Sequence, residues 1–546
     1  MSKVAIRVGE TWLELPSNFV FSQTKKTPLY LGQSINFIPG NYTLPVNIDA
    51  SPANRTALGY RDFVDNPLTF SAEIQADVYL FGNFYERGRL IVKTANPREF
   101  RIQFMSGAGE LQPLADKSLR DYDFGDIVLA DGIAYLYHQQ QVEENPEDYD
   151  HLIFHTYTEH PPLSEDGEPF LTLRRVINMY VMPVIETVLT AEGFEFSKEI
   201  FGFWEDRLLL FFPRIFPYEE EAVNFQKNTA VPPMSPAALI TNIAKLFCWC
   251  FYVDSYTRKV RVFKQSSILT AQAVDRSARV AGEMTRSEAS FQIKEFKYEY
   301  ETGEADFHER AKDFAGYVYA GTATTITELG DGEEGQIKYV YSLSGYVLHT
   351  GEIWDVENPF QNLENLKIGT EGVTIDSKIK PLYMKTKDGI IKPIFRGTYY
   401  YSGNNVEPSE SAGILTYLGM QPNGNGIQSS LISPYPHNYA GQNIANISLE
   451  WDGFDGLYNK NWKSWAEFLA QSERVEVDMH WTENDLRDSD LFLKPMALYD
   501  AHSGTTQKYL LTDMKIVVGM TDGLRVSTQK LIQMRHEVSR GKHGSK

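Results

Sequence analysis

Cysteine is nearly absent: the 546 residues hold two, Cys248 and Cys250, on either side of Trp249. Thiols two positions apart are awkwardly placed to bridge each other, and alone they cannot supply the four ligands of a structural zinc site. A disulfide-stapled fold is excluded, and the pair reads as two buried thiols in a protein assembled in a reducing compartment. Long hydrophobic runs are missing too. The most apolar stretches, 176–191 and 239–253, are broken by Asn178, Pro183 and Glu186 and by Thr241, Asn242 and Lys245. That falls short of the ~20 apolar residues a spanning helix needs, so no membrane anchor is expected. The opening Met1-Ser2-Lys3-Val4-Ala5-Ile6-Arg7 has neither the apolar core nor the cleavage site of a secretory signal.

Positive charge is in deficit, with 52 basic against 72 acidic residues and a net charge of −20. Such a field repels phosphate backbones and anionic lipid, which argues against sequence-specific nucleic-acid binding. The local signatures of common enzymes are lacking as well: there is no GxSxG elbow, no GxxxxGK[ST] loop and no GxGxxG after a strand. Carboxylates are too many for sequence spacing to single out a catalytic pair. His151, His155 and His160 are the one histidine cluster. On a strand the first two share a face and the third points away, and no HExxH accompanies them, so they read as ordinary strand residues. No catalytic residue, cofactor site or metal site is assigned, and the chain is not read as an enzyme.

Aromatic residues are abundant, with 8 Trp, 31 Tyr and 32 Phe. That composition favours pleated, half-buried surfaces. At roughly 150 residues per domain the length implies three or four domains. The fold class expected is α+β and β-dominated, with two barrel-like β modules bridged by a helix-containing α/β region. In the first module, 1–110, Val4, Ile6 and Val8 alternate, as do Phe70, Ala72, Ile74, Ala76, Val78 and Leu80; a charged bend runs from Asn83 to Gly88. Pro39 to Pro45 and Ser51 to Arg55 read as an edge strand and a loop. The tract 111–168, most polar at 143–148 and 164–168, reads as an acidic surface insertion.

Region 169–282 carries the helices. Leu173, Val176, Ile177, Tyr180, Val181, Val184, Ile185, Val188 and Leu189 recur at helical spacing up to Gly193, with a kink at Pro183. Ser235 and Pro236 mark the start of a second helix, followed by a hairpin of Cys250 to Val253 and Lys259 to Phe263. Region 283–450 returns to strands and loops, with turn signals at 330–335 and at Asn423-Gly424-Asn425-Gly426. In 451–535, Trp462, Trp465, Phe468 and Leu469 mark a helix, Val475, Val477, Met479 and Trp481 a strand, and 509–526 a hairpin that completes the second β module. The basic tail 536–546 reads as mobile. Trp451, Trp462, Trp465 and Trp481 allow two readings, a local core or a sugar-stacking platform, and their spacing favours the core.

Three stretches carry a resemblance: Tyr42-Thr43-Leu44-Pro45 with Asn54 to Gly59, the Ser235-capped helix running into Cys250 to Asp254, and Trp451-Asp452-Gly453 with Gly456-Leu457-Tyr458. Together they resemble a tail-hub (baseplate hub, tail-tip) protein of tailed bacteriophages, of the type carried by phages and prophages of Bacteroidetes. The resemblance leaves 111–168 and much of 320–430 uncovered. It implies a homotrimer in which each chain contributes two barrel-like domains to a six-module ring. Its implied partners are a hexameric tail-tube or distal tail protein, a tip or spike protein and a tape-measure protein. The implied location is the tail tip of a virion assembled in the bacterial host cytoplasm. DNA would pass through without specific binding, which an acidic wall favours. The alternatives kept open are a glycan-binding adhesin and a tail-associated cell-wall hydrolase.

Overall fold

Strand β1 (Val4–Val8) buries Val4, Ile6 and Val8 and leaves Ala5 and Arg7 half-buried, as a period of two requires. It opens a computed structural model that describes residues 3–31, 41–65, 74–129, 150–160, 170–199, 202, 204–211, 215–217, 223–287, 296–302, 317–328, 339–342, 361–368, 373–376, 379–381, 384–385, 391–392, 412–422, 428–433, 442–449, 454–501 and 504–534. Strands β2 (Thr11–Trp12), β3 (Val20–Lys26), β4 (Asn41–Thr43), β5 (Val46–Asp49), β6 (Ile74–Leu80), β7 (Asn83–Ala95) and β8 (Glu99–Ser106) complete the N-terminal module, antiparallel throughout. The β6–β7 turn is Phe81-Gly82, both at positive φ (54° and 81°), the geometry of a two-residue hairpin. The charged stretch from Asn83 to Gly88 is therefore strand and not a bend. Gly88 lies inside β7, where a Cβ would come within 2.2 Å of the Met105 carbonyl oxygen. The loop expected at Ser51 to Arg55 is instead the start of helix Pro52–Ala57, capped by Ser51 Oγ, which accepts from the Asn54 N–H at 3.3 Å.

The middle unit holds β9 (Asp126–Leu129), β10 (His151–His160), β11 (Phe170–Tyr180), β12 (Glu195–Lys198), β13 (Leu208–Phe211), β14 (Ile215–Pro217), β15 (Val223–Gln226), β16 (Trp249–Asp254), β17 (Lys259–Lys264) and β18 (Val274–Asp275). Only the second half of the apolar series 173–189 is helical. Residues 170–180 pair with β10 along its whole length, and helix Val181–Ala191 starts after them. Pro183 falls in the first turn, where no N–H is needed, so it does not kink the helix. The helix ends with Gly193 at φ 78°, the Gly193 N–H donating to Thr190 O (2.9 Å) and the Phe194 N–H to Leu189 O (2.9 Å).

The tract 111–168 does not begin as surface chain. Leu111, Leu114, Leu119, Tyr122, Phe124 and Ile127 are buried in the middle core, because the 3-10 turn Gly107–Ala115 packs on helix Pro236–Phe247, the 3-10 turn Leu119–Asp121 packs on Lys227–Ala230, and β9 pairs with β15. Its polar points at 143–148 and 164–168 lie outside the described residues. Helix Pro236–Phe247 has Ser235 as its cap and Pro236 at its first position. It closes on Cys248 in the left-handed conformation (φ 50°, ψ 42°) and runs straight into the β16–β17 hairpin. Both thiols are free and buried, and burial pushes them well above their usual pKa.

Beyond β18 come β19 (Thr285–Ser287), β20 (Phe296–Thr302), β21 (Tyr317–Glu328), β22 (Tyr339–Ser342), β23 (Gln361–Ile368), β24 (Val373–Asp376), β25 (Ile379–Pro381), β26 (Met384–Lys385), β27 (Ile391–Lys392), β28 (Ala412–Pro422) and β29 (Gln428–Ser433). Among the described residues, region 283–450 does not form one β unit. β19 joins the large sheet through the C-terminal strands, whereas β28 pairs with β13 and places Ile414 and Tyr417 in the middle core. The turn signals at 330–335 and 423–426, the strand residues Phe70 and Ala72, and the tail 536–546 lie outside the described residues.

The C-terminal segment follows the expected order. Helix Lys463–Gln471, entered through a π turn at Tyr458–Trp462, precedes β30 (Glu473–Met479), β31 (Met496–Asp500), β32 (Thr505–Gly519), β33 (Gly523–Leu524) and β34 (Ser527–Met534). In chain order the helical region separates the two β modules, but in space they join directly. β3 pairs antiparallel with β32 from Val20↔Gly519 to Lys26↔Asp513, giving the strand order β19-β30-β34-β32-β3-β4-β8-β7-β6-β1-β2. Tyr509, Leu511 and Leu531 face the core shared by both β modules, while Leu510, Ile532 and Met534 face the middle core. The C-terminal hairpin is thus a wall buried on both sides.

Two substitutions test this account. Gly88→Ala forces a Cβ against the neighbouring backbone and should cost about 2–3 kcal/mol, read as a lowered denaturant midpoint. Ser235→Ala removes the helix cap and should cost about 1 kcal/mol by the same measurement.

Candidate functional site

The most concentrated polar chemistry among the described residues lies at the seam where β3 is clasped by both modules. A bulge makes it possible. The β6–β7 register slips between Val78 and Tyr79, so the extra residue turns both Tyr85 and Glu86 inward. Gln23 is wholly buried on β3; its Nε2 donates to Glu86 Oε2 (2.7 Å) and Ser106 Oγ (3.1 Å), and its Oε1 accepts from Tyr85 OH (2.9 Å). Asn41 Nδ2 donates to Glu86 Oε1 at 3.4 Å, and Lys25 Nζ lies 3.4 Å from the same oxygen and 4.6 Å from the Tyr85 ring centre. Burial opposes the Lys25 charge, yet Glu86 and Tyr85 outweigh it and hold the ammonium above its usual pKa. Burial also drives the Tyr85 and Tyr252 hydroxyls upward. The group is an internally neutralised clamp in which Gln23, Asn41, Tyr85, Glu86 and Ser106 hydrogen-bond across strands.

One cavity lies at this seam and another where the N-terminal module meets the middle unit. The first, of about 60 Å³, opens between Lys25, Asn41, Tyr252, Asp254, Arg487 and Asp488, where the three parts of the chain meet. The other, of about 350 Å³, lies between Gln75, Arg89, Glu110, Glu192, Phe194 and Arg258. On the outer face of the N-terminal module an aromatic row runs Trp12–Tyr79 (4.9 Å between centres), Tyr79–Phe84 (5.7 Å) and Phe84–Tyr256 (5.5 Å). Trp12 is 49% and Tyr256 56% exposed. Arg7 reaches over Trp12 and Tyr79 and shares Asp77 with Arg87. Burial works against the Asp77 charge, but Arg87 and Arg7 together hold the carboxyl below its usual pKa.

The residues singled out in the sequence are not brought together here. His151, His155 and His160 lie on β10. His151 Nδ1 is 2.6 Å from Asp150 Oδ1, which also accepts from Lys227 Nζ (2.8 Å). Among the described residues no three metal-ligating side chains cluster, and no helix is long and apolar enough to cross a membrane. The sugar-platform reading of the tryptophans is overturned for three of the four. Trp462, Trp465 and Trp481 are buried, with Trp465 Nε1 donating to Tyr30 O (2.7 Å) and Trp462 Nε1 to Lys245 O (3.2 Å); Trp451 lies outside the described residues. The seam itself escaped the sequence reading. Its one signal was Gln23, a polar residue two positions after Phe21 and on the same inward parity.

Removing the clamp's negative charge while keeping its shape should be costly. Glu86→Gln leaves Lys25 without a counter-charge and should destabilise by about 3 kcal/mol, and adding Lys25→Met should return part of that loss. A double-mutant cycle of chemical unfolding reads both.

No family model matches the chain, and no curated protein matches it. Among solved structures it is similar to the 43 kDa tail protein of prophage MuSo2 from Shewanella oneidensis, with 9% identity over 98% of this chain and 97% of that one and a TM-score of 0.33. It is also similar to the tail protein from Neisseria meningitidis MC58, with 10% identity, 98% and 96% coverage and a TM-score of 0.32. The prophage tail protein gp18 from Listeria monocytogenes EGD-e gives 6% identity, 98% and 96% coverage and a TM-score of 0.28.

Proposed function

We propose that this chain is a structural hub of a phage tail tip, joining the tail tube to the tip or spike and performing no catalytic step. The observation that carries the reading is the β3–β32 pairing, by which one chain presents two β modules side by side in a single sheet. Three such chains offer six modules, the number a hexameric tail-tube or distal tail protein requires, and closed symmetry stops further growth. A tape-measure protein and a tip protein complete the partner set, and the particle is a virion assembled in the host cytoplasm. With −20 on each chain the ring totals about −60, an overall field that repels phosphate and so favours passage of DNA without binding. The adhesin alternative loses three of the four tryptophans that motivated it, because Trp462, Trp465 and Trp481 are packed inside.

The reading is tested by symmetry determination in intact tails and by mass photometry of the purified chain across a salt series. The expected result is three copies at the tail axis, and for the isolated chain a trimer fraction that grows as salt screens the mutual repulsion. A single copy or a stable dimer at the axis overturns it, as would wall-degrading activity of the purified chain on isolated cell walls.

A further inference from the structure

The outer face of the N-terminal module carries its polar and aromatic residues in rungs. Across β2, β1, β6 and β7 the pairs Trp12↔Arg7, Arg7↔Asp77 and Asp77↔Arg87 stand in line, and two residues along β6 the pair Tyr79↔Phe84 makes a second rung. Alternation along the strands puts both rungs on the side away from the buried Val4, Ile6 and Val8. Tyr256, from the β16–β17 turn, extends the aromatic rung, 5.5 Å from Phe84. The rings at the two ends of the row, Trp12 and Tyr256, are half-exposed, while Tyr79 and Phe84 between them are more covered. Two places where a flat ligand can stack therefore stand apart on one face.

The polar margin beside them is fixed from within. Asp77 accepts from Arg7 Nη2 (2.8 Å) and from Arg87 Nε (2.7 Å) and Nη2 (3.2 Å). Its side chain is 9% exposed, against 31% for Arg7 and 37% for Arg87. The margin thus shows solvent two oriented guanidinium groups with more N–H donors than Asp77 can absorb. One rung further along β6 and β7, Gln75↔Arg89 border the cleft of about 350 Å³, a volume at the lower end of small-ligand pockets. Two ion pairs already match charges in its wall: Arg258 Nη1 donates to Glu110 Oε2 (2.8 Å), and Lys117 pairs with Glu192. Arg258 also covers Phe194, 4.2 Å from the ring centre, which leaves the cleft lined by polar groups.

We propose that this face binds a saccharide chain, stacked at Trp12 and at Tyr256 and hydrogen-bonded along the Arg7–Asp77–Arg87 margin, with the cleft at Gln75 and Arg89 taking a further sugar ring. A pyranose offers an apolar C–H face to an aromatic ring. The hydroxyls on its rim accept from guanidinium N–H groups and donate to amide or carboxylate oxygens, so one neutral group satisfies both kinds of partner. A protein partner fits less well, because it would bury the charged margin, whose desolvation the narrow ring area does not offset. The surface is separate from Trp462, Trp465 and Trp481, which are interior. It does not rest on the hub reading: copy number at the tail axis tests that reading, and saccharide binding tests this one.

The full chain is applied to an array of bacterial wall and capsular saccharides with neutral and carboxylated members, and the strongest binder is then measured by calorimetry. Binding is expected, and Trp12→Ala and Tyr256→Ala should each weaken it by about tenfold. Hydroxyl-radical footprinting of the wild-type chain with that saccharide bound should protect Trp12 and Tyr256, a readout that serves even where a variant fails to fold. Neutral members that bind support stacking with hydroxyl contacts; binding confined to carboxylated members, yet lowered by both substitutions, supports the same site with the arginines as its main polar contact. No saccharide bound at millimolar concentration, an affinity unchanged in both variants, or protection only at other residues would overturn the proposal. Retention of polyglutamate with no saccharide bound would overturn it as well, in favour of an acidic protein partner.

Discussion

The hydrogen-bonded pairing of β3 with β32 is the constraint on which the rest of the molecule depends. It brings residues 20–26 against residues 513–519, closing a loop of nearly the whole chain, and closure on that scale costs entropy that only burial on both sides of the seam can offset. Phe21 on one strand and Met514, Ile516 and Val518 on the other enter a common core with Val4, Ile6, Val475 and Val477. A slip of one residue would turn each of these to the opposite face. Register at the seam and integrity of the core are therefore one requirement.

Polar groups at the same place sharpen that requirement. Gln23 must find Glu86, Ser106 and Tyr85 at once, and a displaced β3 would leave a buried amide and a buried carboxylate unpaired, at several kcal/mol. Apolar burial tolerates approximate fits, whereas a buried polar set tolerates few. The β7 bulge shows how little sequence such a device needs, since one extra residue aims two neighbouring side chains inward. From β3 the chain runs on through Thr27, whose N–H bonds Thr512 O (2.8 Å), and through Tyr30, whose N–H bonds Gln265 Oε1 (2.8 Å) and whose carbonyl accepts from Trp465. The middle unit is thereby fastened to the seam that joins the two β modules.

Elements whose signals are local were legible in the sequence. Ser235-Pro236 gives a cap, Gly193 a left-handed terminus, Val4 to Val8 a strand, and Asp254 a turn in which its carboxylate accepts from the Tyr256 N–H (2.9 Å) and Thr257 Oγ1 (2.8 Å). Each rests on contacts within a few residues. Misreadings arose where a pattern fitted two periods. The run from Leu173 to Leu189 suits a helix and also a two-sided strand followed by a helix, and pairing with β10 decides it. Cys248 occupies a left-handed cap that glycine usually fills, so its position carried no helix-end signal.

By itself the sequence determined the β-dominated class, the acidic balance, the buried thiols and the local caps and turns, because composition and short-range sterics act on neighbours along the chain. Tertiary structure alone decided that the two β modules share one sheet, that Leu510 and Leu511 serve different cores, and that Trp462, Trp465 and Trp481 are interior. It also decided that Gln23, Lys25 and Glu86 converge, and that Glu110 meets Arg258. Each of these facts depends on contacts between residues tens to hundreds of positions apart. What brings them together is the joint satisfaction of buried area and buried hydrogen bonds, which no local pattern encodes.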